Sequence, residues 1–287
     1  MDRRLLRSNG RVAHISLQGK VKAEHFLKGD LHRVASTVAD LCAKPSGPRD
    51  RQLLRGEAFV ALDIDEGLAF GYAKKDGYAG WIDSADLISG GLPEPTHRVI
   101  AQMSYGKSTP GLKDMGRVTN LSFGSLLPVL DQKDGWSRIA WSRGTVPRDL
   151  FVPDQHLVPT ATSNNDPVAM AERFLGTPYL WGGNSAFGID CSGLVQAALL
   201  ACGIPCPGDS DLQEAAFPDA ARPYQRGDLL FWKGHVAMVV TASTLIHANA
   251  HHMAVAYEDI DAAIARIEKQ GDGHVTSHKR PTKEVQP

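Results

Sequence analysis

The feature that most restricts the fold is an internal repeat. The stretch running from Gly56-Glu57-Ala58-Phe59 to Asp65-Glu66-Gly67-Leu68 recurs 68 residues downstream, from Gly124-Ser125-Leu126-Leu127 to Lys133-Asp134-Gly135-Trp136. Glycine at 56 and 124, leucine at 62 and 130, aspartate at 63 and 131, and glycine at 67 and 135 fall in register. A recurring block of this size is one supersecondary unit used twice. Each copy holds short β-prone runs broken by Gly and Asp turn signals, so the pattern predicts two small all-β barrels in tandem. Residues 1–90 then form an N-terminal extension plus the first barrel and 91–158 the second, which leaves 159–287 for a third domain. Ahead of the first copy, Leu31 to Leu41 reads equally well as extended or partly helical. Residues 150–166, with Pro153, Pro159 and Ser163-Asn164-Asn165-Asp166-Pro167, read as a linker. Asp166 is placed to cap a first helix with Pro167 in its first turn.

The third domain carries the chemistry. In Gly188-Ile189-Asp190-Cys191-Ser192-Gly193 the cysteine directly precedes the apolar run Leu194 to Leu200, which puts it in the first turn of a helix. Unpaired backbone N–H groups and the helix dipole favour a thiolate there. A lone cysteine is more often an inert buried thiol, but two histidines follow in β-prone runs: Gly234-His235-Val236-Ala237-Met238-Val239-Val240 and Thr244-Leu245-Ile246-His247-Ala248. Their spacing of twelve residues suits adjacent antiparallel strands joined by a turn at Thr241 to Ser243. His235 is then the candidate base for the thiol and His247 the group that fixes its ring.

The segments Pro178-Tyr179-Leu180-Trp181-Gly182-Gly183, Asp190-Cys191-Ser192-Gly193, Asp209-Ser210, Arg226-Gly227-Asp228-Leu229-Leu230-Phe231, Gly234 to Val239 and Ile246-His247-Ala248 resemble the NlpC family of bacterial cysteine peptidases. The N-terminal copies resemble bacterial SH3-like domains, with Asp76-Gly77-Tyr78-Ala79-Gly80-Trp81-Ile82 closing the first and Leu68 standing where an aromatic is common. The resemblance implies an α+β protein: a papain-like cysteine peptidase domain after two SH3-like barrels. Within the family the resemblance extends to the three-domain γ-D-glutamyl-L-diamino acid endopeptidases. It implies Cys191 as nucleophile, His235 as general base, His247 as orienting residue and Tyr179 beside the oxyanion, with no metal or organic cofactor. It further implies that Asp190 and Ser192 bind the free amine of a muropeptide, L-Ala-γ-D-Glu-diamino acid. Asp209, Ser210 and Trp181 also contact that substrate, and Tyr78 joins them with an upstream acid, either Asp50 or Glu57. Gly208 departs from the arginine common in relatives, so any contact of that arginine is missing. The same residues also suit an exported hydrolase acting on intact wall, an acyltransferase, or a non-catalytic wall-peptide-binding protein.

Composition narrows the partners. A formal net charge of −1 without a Lys/Arg run gives no basic groove for nucleic acid. Met1 to Gly10 is charged and lacks an apolar stretch, so the expectation is a cytoplasmic protein without a membrane partner. Cys42, Cys202 and Cys206 show no framework spacing. Cys202 and Cys206 with His251 and His252 make at best half a zinc site, and Gly203-Ile204-Pro205 between them reads better as a helix stop. The tail from Gly271 is expected to be poorly ordered. Nothing in the sequence sets the oligomeric state.

Overall fold

The computed structural model describes residues 1–90, 93–113, 115–142 and 147–283. They form two compact units, Met1–Ala161 and Thr162–Pro287. The fold class is α+β, as expected: strands dominate the first unit and helices enter in the second.

The first unit contains both copies of the repeat. Around the first copy a seven-stranded sheet runs in the order Arg49–Leu54, Val38–Cys42, Ala79–Asp83, Leu68–Ala73, Ala58–Asp65, Asp30–Val34, Leu87–Ile88. Alternation along these strands sends Leu41, Leu53, Phe59 and Ile82 into one core. The ambiguous Leu31 to Leu41 stretch is extended, split between two of these strands. Around the second copy, Val99, Leu121, Leu127, Ile139, Leu150 and Val152 form a separate core. The repeated glycines share a backbone state: Gly56 and Gly124 have φ of 80° and 87°, and Gly67 and Gly135 both have 82°. Gly56 is fixed twice over, because a Cβ there would lie 2.0 Å from the carbonyl oxygen of Leu126. That approach lets Leu126 N–H donate to Arg55 O at 2.8 Å and join the copies.

The linker expected over 150–166 is largely structured. Pro147–Pro153 pairs along Trp136–Ser142, and Leu157–Pro159 pairs with His97–Val99. Leu150, Val152 and Leu157 are core residues, while Pro153 and Pro159 end their strands, where a missing N–H costs least.

In the second unit a five-stranded antiparallel sheet has the order Ala254–Asp259, Thr244–Asn249, His235–Val239, Leu229–Trp232, Ser277–Lys279. Helix α1 (Pro167–Glu172) is capped by Asp166, which accepts from Val168 N–H at 3.0 Å. Helix α2 (Cys191–Ala201) is buried along most of its length, α3 (Ser210–Ala216) is short, and α4 (Ile260–Gln270) packs Ile260, Ala263 and Ile267 on Leu230, Ala237, Val239 and Leu245. From Gly271 to Lys283 the tail is ordered, contrary to expectation, and 284–287 lie outside the described residues. Ser277–Lys279 pairs with Leu229–Phe231, and His278 and Arg280 grip the buried carboxylate of Asp228. A polar tail gives no apolar signal, and its order comes from strand pairing and from a buried acid that lies about fifty residues earlier in the chain.

Candidate active site

Cys191 opens α2 and is 4% exposed. Asp190 caps the helix: one carboxylate oxygen accepts from Gly193 N–H at 2.6 Å and Ser192 Oγ–H at 2.9 Å, the other from Gly182 N–H at 3.0 Å. The acid therefore ties the helix start to the Tyr179–Gly183 segment. Gly193 permits that approach, since a Cβ there would sit 2.5 Å from Gly183 O.

Burial and the charge of Asp190 push the Cys191 thiol up to about 12, although the amides of Val236, Ser192 and Cys191 itself act in the other direction. The helix-dipole argument from sequence thus points the right way but is outweighed. His235 is pushed down to about 3, by burial first and by its neighbours second. A buried thiolate alone and a buried imidazolium alone are both costly, so proton transfer is favourable only as a contact pair whose charges offset. The Val236 amide beside the thiol brings the start of the His235–Val239 strand to the start of α2.

The two histidines meet. His235 Nε2 lies 2.9 Å from His247 Nδ1, and His247 is wholly buried. They are not directly opposite. Met238 pairs with Ile246 and Val239 with Leu245, so His247 lies diagonally from His235, two residues along the ladder. His247 Nε2 lies 3.0 Å from Glu258 Oε2, and Arg266 donates to both Glu258 oxygens at 2.8 and 2.7 Å. Sequence reading missed Glu258 and Arg266. Glu258 falls eleven residues after His247, almost the spacing that separates the histidines, and that diagonal recurrence was the available signal.

A cavity of about 530 Å3 opens beside His235, lined by Tyr179, Trp181, Lys233, Asn249 and, from α4, Arg266 and Gln270. Trp181 is 69% exposed on its wall. Burial and the nearby Cys191 and Asp190 charges raise the Tyr179 hydroxyl above its ordinary range, so it remains a donor. Ser210 starts α3, and the buried Gln213 on that helix donates to Ser192 O at 2.9 Å, linking the Asp209–Ser210 turn to the nucleophile helix. Tyr78 belongs to the other unit, where it lies in the first core at 3% exposure. Of the two acids considered with it, Asp50 shares Arg3 with Tyr78, whereas Glu57 is paired with Lys75 at 2.7 Å.

All four cysteines are free thiols. Among the described residues the one group with converging metal-capable atoms is His247, His252 and Glu258, not Cys202, Cys206, His251 and His252. Glu258 there is engaged by Arg266, and His252 pairs with Asn249 Oδ1 at 3.0 Å, so the group is a hydrogen-bond set. No helix among the described residues is long and apolar enough to cross a membrane.

A cysteine at a helix start beside a histidine pair carried on an antiparallel sheet defines a papain-like cysteine peptidase domain. Residues 176–268 match the NlpC/P60 family, and residues 41–87 match the bacterial dipeptidyl-peptidase Sh3 domain. The chain is similar to a protein named gamma-D-glutamyl-L-lysine dipeptidyl-peptidase from Bacillus subtilis (strain 168), 30% identical over 194 residues that cover 61% of this chain and 62% of that protein. A protein of the same name from Bacillus cereus (strain ATCC 10987 / NRS 248) is 29% identical, the match covering 61% of this chain and 57% of that one. These matches therefore span about three fifths of the length of each relative. A crystal structure of an NlpC/P60 family protein from Bacillus cereus ATCC 10987 shares the fold, with a TM-score of 0.71 at 18% identity over 88% of this chain and 99% of that one.

Proposed function

We propose that the protein is a thiol hydrolase that cuts the γ-D-glutamyl–diamino acid bond of small peptidoglycan-derived peptides with a free N-terminal L-Ala. The observation that carries this reading is the contact of His235 with His247 at 2.9 Å, on a strand whose Val236 amide reaches Cys191 at the start of α2. The names of the relatives and the match of residues 41–87 support the substrate class. In the proposed step, Cys191 Sγ attacks the γ-carbonyl carbon of D-Glu as its proton passes to His235. Cys191 N–H and the Tyr179 hydroxyl hold the oxyanion. The C–N bond breaks, and the leaving amine takes the proton from His235. Water, deprotonated by His235, then hydrolyses the thioester and releases L-Ala-D-Glu. Asp190 and Ser192 are the proposed partners of the substrate ammonium, with Asp190 serving at the same time as helix cap.

On this reading the enzyme acts in the cytoplasm on released wall peptides, for recycling. Subcellular fractionation tests the location: recovery from the culture medium or envelope would favour the exported hydrolase. The activity is tested by mass spectrometry of L-Ala-γ-D-Glu-meso-diaminopimelate, its L-Lys analogue and their N-acetylated forms, with Cys191→Ala as control. Cleavage of the free-amine peptides alone supports the proposal, equal cleavage of the acetylated forms discards the amine requirement, and no cleavage in any case favours a binding protein.

A further inference from the structure

The two histidines do not end the hydrogen-bond chain. His235, His247 and Glu258 sit on three successive strands of the sheet, each displaced by two residues from the one before. They form a diagonal line on the face that α4 covers. Arg266 of α4 closes it by gripping both oxygens of Glu258.

The order of donors along this line follows from its far end. An ionised carboxylate only accepts, so His247 Nε2 carries a hydrogen toward Glu258 across 3.0 Å. A neutral His247 then has its lone pair on Nδ1, and His235 Nε2, 2.9 Å away, is the matching donor. A neutral His235 that donates from Nε2 keeps its lone pair on Nδ1. We propose that Glu258, clamped by Arg266, is a positioning residue that sets the tautomers of both histidines and so presents His235 Nδ1 as the base for the Cys191 thiol. The inference rests on the reading of Cys191 and His235 as nucleophile and base.

Two observations support it. Burial lowers the proton affinity of both imidazoles, so both are neutral in the resting protein and their tautomers are a real choice. Glu258 stays ionised: burial would raise its carboxyl, but the hydrogen bonds from Arg266 and His247 more than reverse this. With the opposite tautomers, the His247 Nε2 lone pair would face a carboxylate and the ring lone pair of His235 would point at His247 instead of at the thiol. When His235 takes up a proton, the same carboxylate favours the imidazolium through the intervening ring.

The experiment has a spectroscopic and a kinetic arm, neither of which depends on knowing the substrate. Histidine 15N NMR of the wild-type protein at neutral pH is expected to show His235 and His247 both protonated at Nε2 and bare at Nδ1. A proton on Nδ1 of His247 overturns the proposal, and this arm needs no variant. In the kinetic arm, iodoacetamide alkylation of Cys191 at pH 7 is followed by peptide mapping in wild type, Glu258→Ala and His235→Ala. We expect Glu258→Ala to lose about 100-fold in rate, toward the His235→Ala floor, as triads do when the group fixing the tautomer is lost. A folded Glu258→Ala that alkylates at the wild-type rate while His235→Ala is slow overturns the role of Glu258 alone. If His235→Ala also reacts at the wild-type rate, the nucleophile and base reading falls, and this inference with it.

Discussion

Replacing Asp228 with alanine tests whether one buried acid orders the C-terminal tail. The carboxylate is fully buried and accepts from Gln225 N–H at 2.8 Å, His278 Nε2 at 2.7 Å, and Arg280 Nε and Nη2 at 2.7 and 2.9 Å. Breaking a buried ion pair costs about 3 to 5 kcal/mol. The low end applies here, because the Arg280 side chain is 37% exposed and regains water once released. A loss of about 3 kcal/mol in a unit of this size lowers its melting temperature by roughly 10 °C. Hydrogen exchange should also rise at Ser277 to Lys279, the edge strand that the cluster holds. Scanning calorimetry combined with exchange mass spectrometry reads both. Turnover per folded molecule should be unchanged at low temperature, because Asp228 touches none of Cys191, His235 and His247. A shift below about 2 °C with unaltered exchange would mean that strand pairing alone holds the tail, and the argument from the acid would be wrong.

Gly193→Ala should lose about 1 to 3 kcal/mol of stability and most of the thiol reactivity, because its Cβ cannot share space with Gly183 O without moving the loop that Asp190 ties down; urea unfolding and Cys191 alkylation check it. Tyr179→Phe should lower kcat about 100-fold with little change in melting temperature, as expected for one lost oxyanion donor; an unchanged kcat would reduce Tyr179 to packing. Stability should fall on acidification. His235 has a folded value near 3 against an ordinary 6.5, so below pH 6.5 the unfolded chain takes up the proton first and the native state loses ground, by about 1 kcal/mol at pH 5.5. Asp228 and Glu258 are lowered carboxyls, whose contribution is complete above the ordinary carboxyl range and lost as pH falls toward their folded values. Urea midpoints at pH 7.5, 5.5 and 4 should therefore descend, with the first step flattened in His235→Asn; a midpoint that rises at pH 5.5 contradicts this.

Sequence alone determined the tandem β units, because the repeated glycines mark turns that only a positive φ allows, and local backbone sterics act without reference to the rest of the chain. It also located Cys191 at a helix start and both histidines on adjacent strands, since helix and hairpin signals are short-range. The tertiary structure decided what depends on burial and on register. It drew the first part of the 150–166 stretch into two strands, because Leu150, Val152 and Leu157 find a core that no local rule reveals. It ordered the tail, because the acid that holds it lies some fifty residues earlier. It also raised the Cys191 thiol instead of lowering it, because desolvation and Asp190 outweigh the helix terminus. The line from His235 through His247 to Glu258 needs two strand registers and a helix packed over them, so the eleven-residue recurrence alone did not single out Glu258, and no spacing named Arg266. Proximity along the chain fixes turns, caps and strand starts, whereas proton affinities and hydrogen-bond order depend on which distant groups share a dry interior.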